Sequence, residues 1–258
     1  MDKITSTANP VVKRLRSLRD AKAREECGEF LVEGEVMILE ALKCGLSPSD
    51  ALLEDESALI SALEKAGARA HLASRNAIEA ACDTKTPQGS CAAFTLPRRD
   101  RLPENASLLV ALDGVQDPGN LGTIWRTADA SGFHALILGE GCADPYSPKV
   151  QRAAMGSGFR VPLLETRFPE ALQALQRQGF RVVVSALDGE PLYEHPFSNA
   201  SEKLILVIGN EAHGVSKAVQ SLADVRLKIP MRGGAESLNA SVAAGILMYE
   251  LTRNTLSR

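Results

Sequence analysis

The sequence predicts an α/β protein built from two successive α/β domains, and three observations carry that class. Short apolar runs of Val, Ile, Leu and Ala alternate with segments of helical periodicity along most of the chain, the pattern of strands buried between helices. The alternation comes in two series, separated at Pro97-Arg98-Arg99-Asp100-Arg101-Leu102-Pro103, where two prolines enclose a charge cluster. The length of 258 residues, with 45% hydrophobic and 24% charged residues, is enough for two ordinary cores in a soluble globular chain. The expected organisation is a domain over 1–97, a linker over 98–106 and a second domain over 107–258.

Residues 3–24 are basic: Lys3, Lys13, Arg14, Arg16, Arg19, Lys22 and Arg24 stand against Asp20 alone. Val11, Val12, Leu15 and Leu18 recur at helical spacing after the start signal Asn9-Pro10, which predicts an amphipathic helix with a cationic face. Such a run is most often a solvated surface. The sharper alternative is a face that contacts phosphates, with Lys13, Arg14 and Arg16 as its candidates. Strands follow at 29–32, 51–53, 68–72 and 91–96, alternating with helices at 34–43, 57–66 and 74–81.

In the second series, Leu108–Leu112 reads as a buried strand and Asn120–Ser131 as a helix. Further strands fit Ala135–Leu138, Val161–Leu164, Arg181–Val184, Leu204–Ile208 and Val225–Ile229. Helices fit Pro148–Met155, Pro169–Gln178 and Ser216–Leu222. After Pro230 comes a polar loop in which Gly233 and Gly234 supply conformations that a Cβ tolerates poorly. A small-residue helix then starts at about Ala240, capped by Asn239 or Ser241, and its Ala243-Ala244-Gly245 lets something approach the backbone closely.

Several function classes find no support. Aromatics are 4% of the chain and the net charge is -3, so RNA or DNA binding would need a local basic patch. Cys27, Cys44, Cys82, Cys91 and Cys142 are odd in number and widely spaced, which fits neither a disulfide framework nor zinc, and no metal is expected. No signal core or membrane-length run is present, so the expected setting is cytoplasmic, without a membrane partner. Gly156-Ser157-Gly158 lacks a third glycine and a preceding strand, which makes a dinucleotide fingerprint weak.

Polar residues concentrate at three strand ends: Asp113–Gly122 (DGVQDPGNLG), Gly209–Gly214 (GNEAHG) and the 229–251 stretch with Glu236, Ser237 and Asn239. Each alone could be a capped turn. Three together predict one crevice at the carboxyl ends of an open sheet.

DPGNLGTIWRTADASG, VIGNEAHGVS and IPMRGGAESLNASVAAGI resemble, in order and spacing, the three motifs of the SpoU (TrmH-like) RNA ribose 2′-O-methyltransferases of the SPOUT superfamily, over roughly residues 107–251. FLVEGEVMILEAL and TPQGSCAAF resemble the ribosomal-protein-like substrate-binding domain often fused in front. The resemblance implies an α/β trefoil-knot domain with 229–251 threaded through a loop, a fold no pattern reading would propose. It also implies a homodimer, S-adenosylmethionine as cofactor and RNA as substrate, with ribosomal RNA preferred and tRNA second.

By motif position, the resemblance makes Gly209, Ile229 and Leu238 the frame of the cofactor, although Ile229 and Leu238 suit plain core packing too. Arg126 matches the family's essential arginine. It is proposed there as general base, whereas a guanidinium that stays protonated is better suited to stabilising an alkoxide or orienting a phosphate. Asn120 should position Arg126 or the substrate, and Glu211 should hold Arg126 or the ribose. Ser237 and Asn239 match the family's polar pair. Lys149 and Arg152 are candidate RNA-phosphate contacts, Trp125 is expected at a dimer interface or against the first helix, and His213 reads as exposed loop. A catalytically silent RNA-binding or assembly factor on the same fold, and a base methyltransferase, are the rival readings.

Overall fold

The computed structural model describes residues 3–84, 86–97, 101–195 and 202–253. The 98–100 part of the expected linker lies outside the described residues. Contacts divide the chain into two compact units, 1–98 with 146–159, and 99–145 with 160–258.

The first unit opens with α1 (Pro10–Ser17), α2 (Ala21–Cys27), β1 (Glu29–Glu33) and α3 (Glu35–Lys43). It continues with β2 (Pro48–Leu53), α4 (Ala58–Lys65), β3 (Arg69–Leu72), α5 (Arg75–Ala81) and β4 (Ser90–Thr95). The sheet order is β1-β4-β2-β3; β4 is antiparallel to both neighbours and β2–β3 is parallel. Alternate residues serve opposite faces. Phe30, Val32, Ala51, Leu53, Ala92 and Phe94 share a core with Ile38 of α3 and Leu59 and Leu63 of α4, while Leu31, Leu52, Cys91 and Ala93 pack with Val12 and Leu15 of α1 and Ile78 of α5.

The basic N-terminal stretch is two helices, not one. Asp20 ends the first segment by capping α2, accepting from the Ala23 N–H at 3.2 Å, and Gly28 closes α2 in the left-handed region at φ 66°. Most of its cations have internal partners. Arg19 donates to the carbonyls of Glu79, Ala80 and Ala81 at the end of α5, and buried Arg24 donates to Leu18 O. Arg14 pairs with Glu29 and with Asp50, whose side chain is 2% exposed; Arg69 grips the same Asp50 with two hydrogen bonds, at 2.9 and 3.0 Å. Lys13 and Arg16 face solvent. Arg14→Ala should therefore act on folding: stability should fall by about 1–3 kcal/mol, since it strips donors from a buried carboxylate. Chemical denaturation measures this, and an unchanged midpoint would return Arg14 to the solvated face.

The second unit holds β5 (Leu108–Asp113), α6 (Pro118–Ala130) and β6 (Ala135–Leu138). After α7 (Pro148–Ala154), which groups with the first unit, and the short α8 (Ser157–Arg160), it continues with β7 (Leu163–Glu165), α9 (Glu170–Arg177) and β8 (Arg181–Pro191). It finishes with β9 (Leu204–Gly209), α10 (Lys217–Gln220), β10 (Val225–Lys228) and α11 (Ala240–Thr252). The sheet runs β10-β8-β9-β5-β6-β7 and every pairing is parallel. One face buries Leu109, Ala111, Val182, Val184, Ile205 and Val207 under Leu172 and Leu175 of α9 and Val219 of α10. α11 packs against β8, β9 and α6, and Gly245 faces Thr127 of α6 closely enough that an added Cβ would sit 3.6 Å from its methyl.

Two expectations change here. Trp125 is fully buried within this unit and donates its indole N–H to Val161 O at 3.0 Å, because an indole of that size can be buried only where its donor finds a carbonyl. Gly233 and Gly234 are not in the left-handed region and have open space where a Cβ would go, so nothing in the structure requires glycine there. Alanine at either position should leave the unfolding temperature essentially unchanged, as for other exposed loop sites.

Candidate active site

β5 is the switch point of the parallel sheet. Its neighbours β6 and β9 lead away on opposite sides, so the carboxyl ends of β5 and β9 open side by side, with Asp113 in register with Gly209. Both strand ends turn into loops that bind each other. Gly114 turns at φ 74°, and its carbonyl accepts from Asn210 Nδ2 at 2.8 Å. Asn210 Oδ1 takes the N–H groups of Ala212 and His213, and Ser216 N–H donates to Asp113 at 2.7 Å. Gly209 lies so close to the returning chain that a Cβ there would sit 2.1 Å from Gly214 C and from Val215 N.

The third loop joins through side chains. Asp117 caps α6 by accepting from the Asn120 N–H at 2.8 Å, with Pro118 in the first turn. That fixes Asn120, which is 7% exposed, between the other two loops. Asn120 Nδ2 donates to Glu211 Oε1 at 2.9 Å, and Asn120 Oδ1 accepts from Asn239 Nδ2 at 2.9 Å. Asn239 Oδ1 in turn caps α11, accepting from Ser241 and Val242 N–H groups. Glu211 also accepts from the N–H groups of Gln116 and Asp117, both at 3.2 Å. One relay, Glu211–Asn120–Asn239, thus ties three loops that are far apart in sequence.

Burial pushes the Glu211 carboxyl up, but the Asn120 amide and the N–H groups of Glu211, Gln116 and Asp117 outweigh it, and the net direction is down. A carboxylate with a lowered folded value stabilises the fold above its ordinary value and loses that contribution as pH falls through the lowered one. Wild-type protein should therefore lose unfolding temperature on the acid side of the ordinary carboxylate range, and Glu211→Gln should show less of that loss. Thermal scans across pH measure the difference; identical acid limbs would remove Glu211 from the account.

A cleft of about 600 Å³ opens beside the relay. Of the predicted site residues, Gly209, Glu211, Ile229, Ser237, Leu238 and Asn239 line it. Its apolar contributors Leu238 and Met231 are each 37% exposed. Its volume and mixed walls suit a nucleoside-sized ligand. Asn120 is behind the wall, holding Asn239 and Glu211, where a part in positioning Arg126 or the substrate was expected; the short amide reaches those two loops. Arg126 is exposed on α6, outside the cleft lining, and among the described residues it has no hydrogen-bond or ion-pair partner. His213 is exposed, as expected, though it lines the cleft. In the first unit, Lys149 is exposed and Arg152 pairs with Asp83 at 3.0 Å. Two charged lining residues were not read from the sequence as site candidates, Asp188 and Arg226. For Asp188 a signal was present in Asp188-Gly189, a turn pair four residues beyond the apolar strand at Arg181–Val184. Among the described residues, no group of three or more His, Cys, Asp or Glu side chains could hold a metal ion, and no helix is long and apolar enough to cross a membrane.

Residues 107–249 match the SpoU rRNA Methylase family model, and residues 9–92 match the MRM3-like substrate binding domain. The chain is 40% identical over 252 residues to the 23S rRNA (guanosine(2553)-2′-O)-methyltransferase RlmP of Bacillus subtilis, covering 97% of this chain and 99% of that protein. It is similar to the crystal structure of an AdoMet-bound rRNA methyltransferase from Sinorhizobium meliloti, with 31% identity, a TM-score of 0.90 and 98% of each chain covered. It is also similar to the SpoU methyltransferase AviRb of Streptomyces viridochromogenes in complex with AdoMet, with 29% identity, a TM-score of 0.84, and 96% and 99% coverage. With both units matched and the three loops joined around one cleft, the chain belongs to the SpoU rRNA methylase family and is a methyltransferase built on that family's fold.

Proposed function

We propose that this protein transfers the methyl group of S-adenosylmethionine to a ribose 2′-hydroxyl of ribosomal RNA. The observation that carries the reading is the Glu211–Asn120–Asn239 relay, which gathers all three SpoU motif loops around a cleft of cofactor size. The residues present fit the cofactor: Ile229, Leu238 and Met231 offer apolar surface to an adenine, and the cleft carboxylate Glu211 favours a ligand that carries a sulfonium charge. When bound, S-adenosylmethionine supplies an electrophilic methyl group. The chain's own task is to hold the ribose and ease loss of the hydroxyl proton as the new bond forms. Arg126 offers a planar guanidinium fork to an adjacent phosphate or to the developing alkoxide. The relay fixes Ser237 and Asn239 on the cleft wall by anchoring the start of α11.

The reading includes a homodimer with a trefoil-knotted C-terminal segment. Two features support the dimer. α11 is apolar around its circumference, yet Val242 and Tyr249 are 50% and 47% exposed. Arg126, on the helix packed beside it, has no partner among the described residues. A second copy would cover that apolar surface and bring a further set of motif loops near Arg126. Return of α11 onto β8, β9 and α6 supports the knot. A cytoplasmic setting is in keeping with five free cysteines. The substrate domain would present RNA through Lys13 and Arg16, and through Lys149.

Calorimetry should show S-adenosylmethionine binding in the micromolar range, on the order of -8 kcal/mol. Mapping ribose methylation in RNA from cells with and without the protein should show one 2′-O-methyl group lost from ribosomal RNA. No binding would remove the enzyme reading, and a loss confined to tRNA would move the substrate.

A further inference from the structure

We propose that Asp188, held by Arg226, is the receptor for the ribose diol of the cofactor; this rests on the S-adenosylmethionine reading above. The feature behind it is an excursion in β8. Val184 pairs with Arg226, but the next pair is Glu190 with Leu227, so residues 185–189 are carried out of the ladder opposite a single step of β10. Ser185, Ala186, Leu187 and Asp188 consequently line the cleft. The excursion is anchored at both of its last residues. Gly189 lies against β10 so closely that a Cβ would sit 2.5 Å from Arg226 O, and Arg226 Nη2 donates to Asp188 Oδ1 at 2.6 Å.

Among the described residues, four cleft-lining side chains are ionisable: Asp188, Glu211, His213 and Arg226. Glu211 already accepts from Asn120 and from two backbone N–H groups. Asp188 uses Oδ1 for Arg226, and its Oδ2 has no partner among the described residues. A carboxylate at the carboxyl end of a parallel strand is well placed to accept from the two hydroxyls of a ribose. The ligand's ammonium is the competing donor. Arg226 decides between them: its charge, at hydrogen-bond distance, largely neutralises the carboxylate and repels a second cation. It leaves the lone pairs of Oδ2 open to neutral hydroxyls. Arg226 is thus a positioning residue, and Nε of its guanidinium is buried without a hydrogen-bond partner, facing no competing acceptor.

The test is calorimetry on the full chain with three ligands: S-adenosylmethionine; 5′-methylthioadenosine, which keeps the diol and lacks the amino-acid end; and 2′-deoxy-5′-methylthioadenosine. Asp188→Ala should weaken the first two alike, by roughly tenfold, as for loss of a hydrogen bond to a charged group. It should weaken the deoxy ligand, which keeps the 3′-hydroxyl alone, by less than it weakens the two diol ligands. Asp188→Asn, which keeps the side chain's size and one acceptor, should fall between, and its unfolding temperature guards against a folding artefact. Arg226→Lys, which keeps a cation beside Asp188, should retain affinity within a few-fold, while Arg226→Gln should not. A loss confined to S-adenosylmethionine would assign Asp188 to the amino-acid end and overturn the proposal. Unchanged affinity for all three would overturn it too. Wild-type protein that binds none of them would instead sink the cofactor reading on which the proposal stands.

Discussion

Arg126→Lys is expected to lower single-turnover methyl transfer by roughly two orders of magnitude, the effect of losing one oriented donor at a developing oxyanion. Lysine keeps the positive charge and loses the planar fork. Arg126 is exposed on α6 and lies outside the cleft lining, so cofactor affinity should be unchanged within error. Fold stability should also persist, because among the described residues the guanidinium holds no partner whose loss could be felt. The measurement is single-turnover transfer to the identified RNA beside calorimetry with S-adenosylmethionine. Near wild-type turnover would show that a point charge suffices. Loss of cofactor binding as well would mean that Arg126 shapes the cleft, and its assignment to the chemistry would lose its support.

Gly209→Ala is expected to be the most damaging single methyl group in the site. The new Cβ would meet the backbone of the returning chain, at 2.1 Å from Gly214 C and Val215 N and 2.5 Å from Gly214 O, and backbone cannot swing away as a side chain can. Either the 210–214 loop opens or β9 shifts against β5. The loss should be about 3 kcal/mol, the upper range for overpacking. Cofactor affinity should fall at least tenfold, because the displaced loop carries Glu211. Gly214→Ala is the control. It has open space but sits at φ 68°, so it should lose only about 1 kcal/mol. Denaturation and calorimetry on both variants decide the matter: equal, small losses would show that the close approach at Gly209 relaxes freely.

Much of this was legible in the residues. Strand-end loops announce themselves because Asp113, Asp117, Asn120, Asn210 and Asn239 are cap and turn formers set directly after or before apolar runs, and the caps at Asp117 and Asn239 form as such residues do. What the loops bind was less legible. The resemblance gave Asn120 the task of positioning Arg126 or the substrate, but a short amide reaches only neighbouring loops and found Glu211 and Asn239. Arg14 looked like its neighbours Lys13 and Arg16. Only the fold shows that it turns inward to Asp50, because that buried carboxylate lies on a strand 36 positions later. The excursion at 185–189 left no periodic trace, since residues carried out of a ladder obey neither the strand nor the helix period. Nor does the sequence show that 146–159 groups with residues 1–98, a matter of tertiary contact alone.

The relay has a consequence for the order in which the molecule is made. Asn120 is joined to a residue 91 positions later and to another 119 positions later. During synthesis β5 and β6 can pair early, yet the wall formed by Ser237, Leu238 and Asn239 does not exist until the ribosome has passed α11. Contacts of such long sequence separation form slowly. A nascent chain is therefore unable to take up its methyl donor before α11 has emerged, and maturation of the pocket waits on that helix.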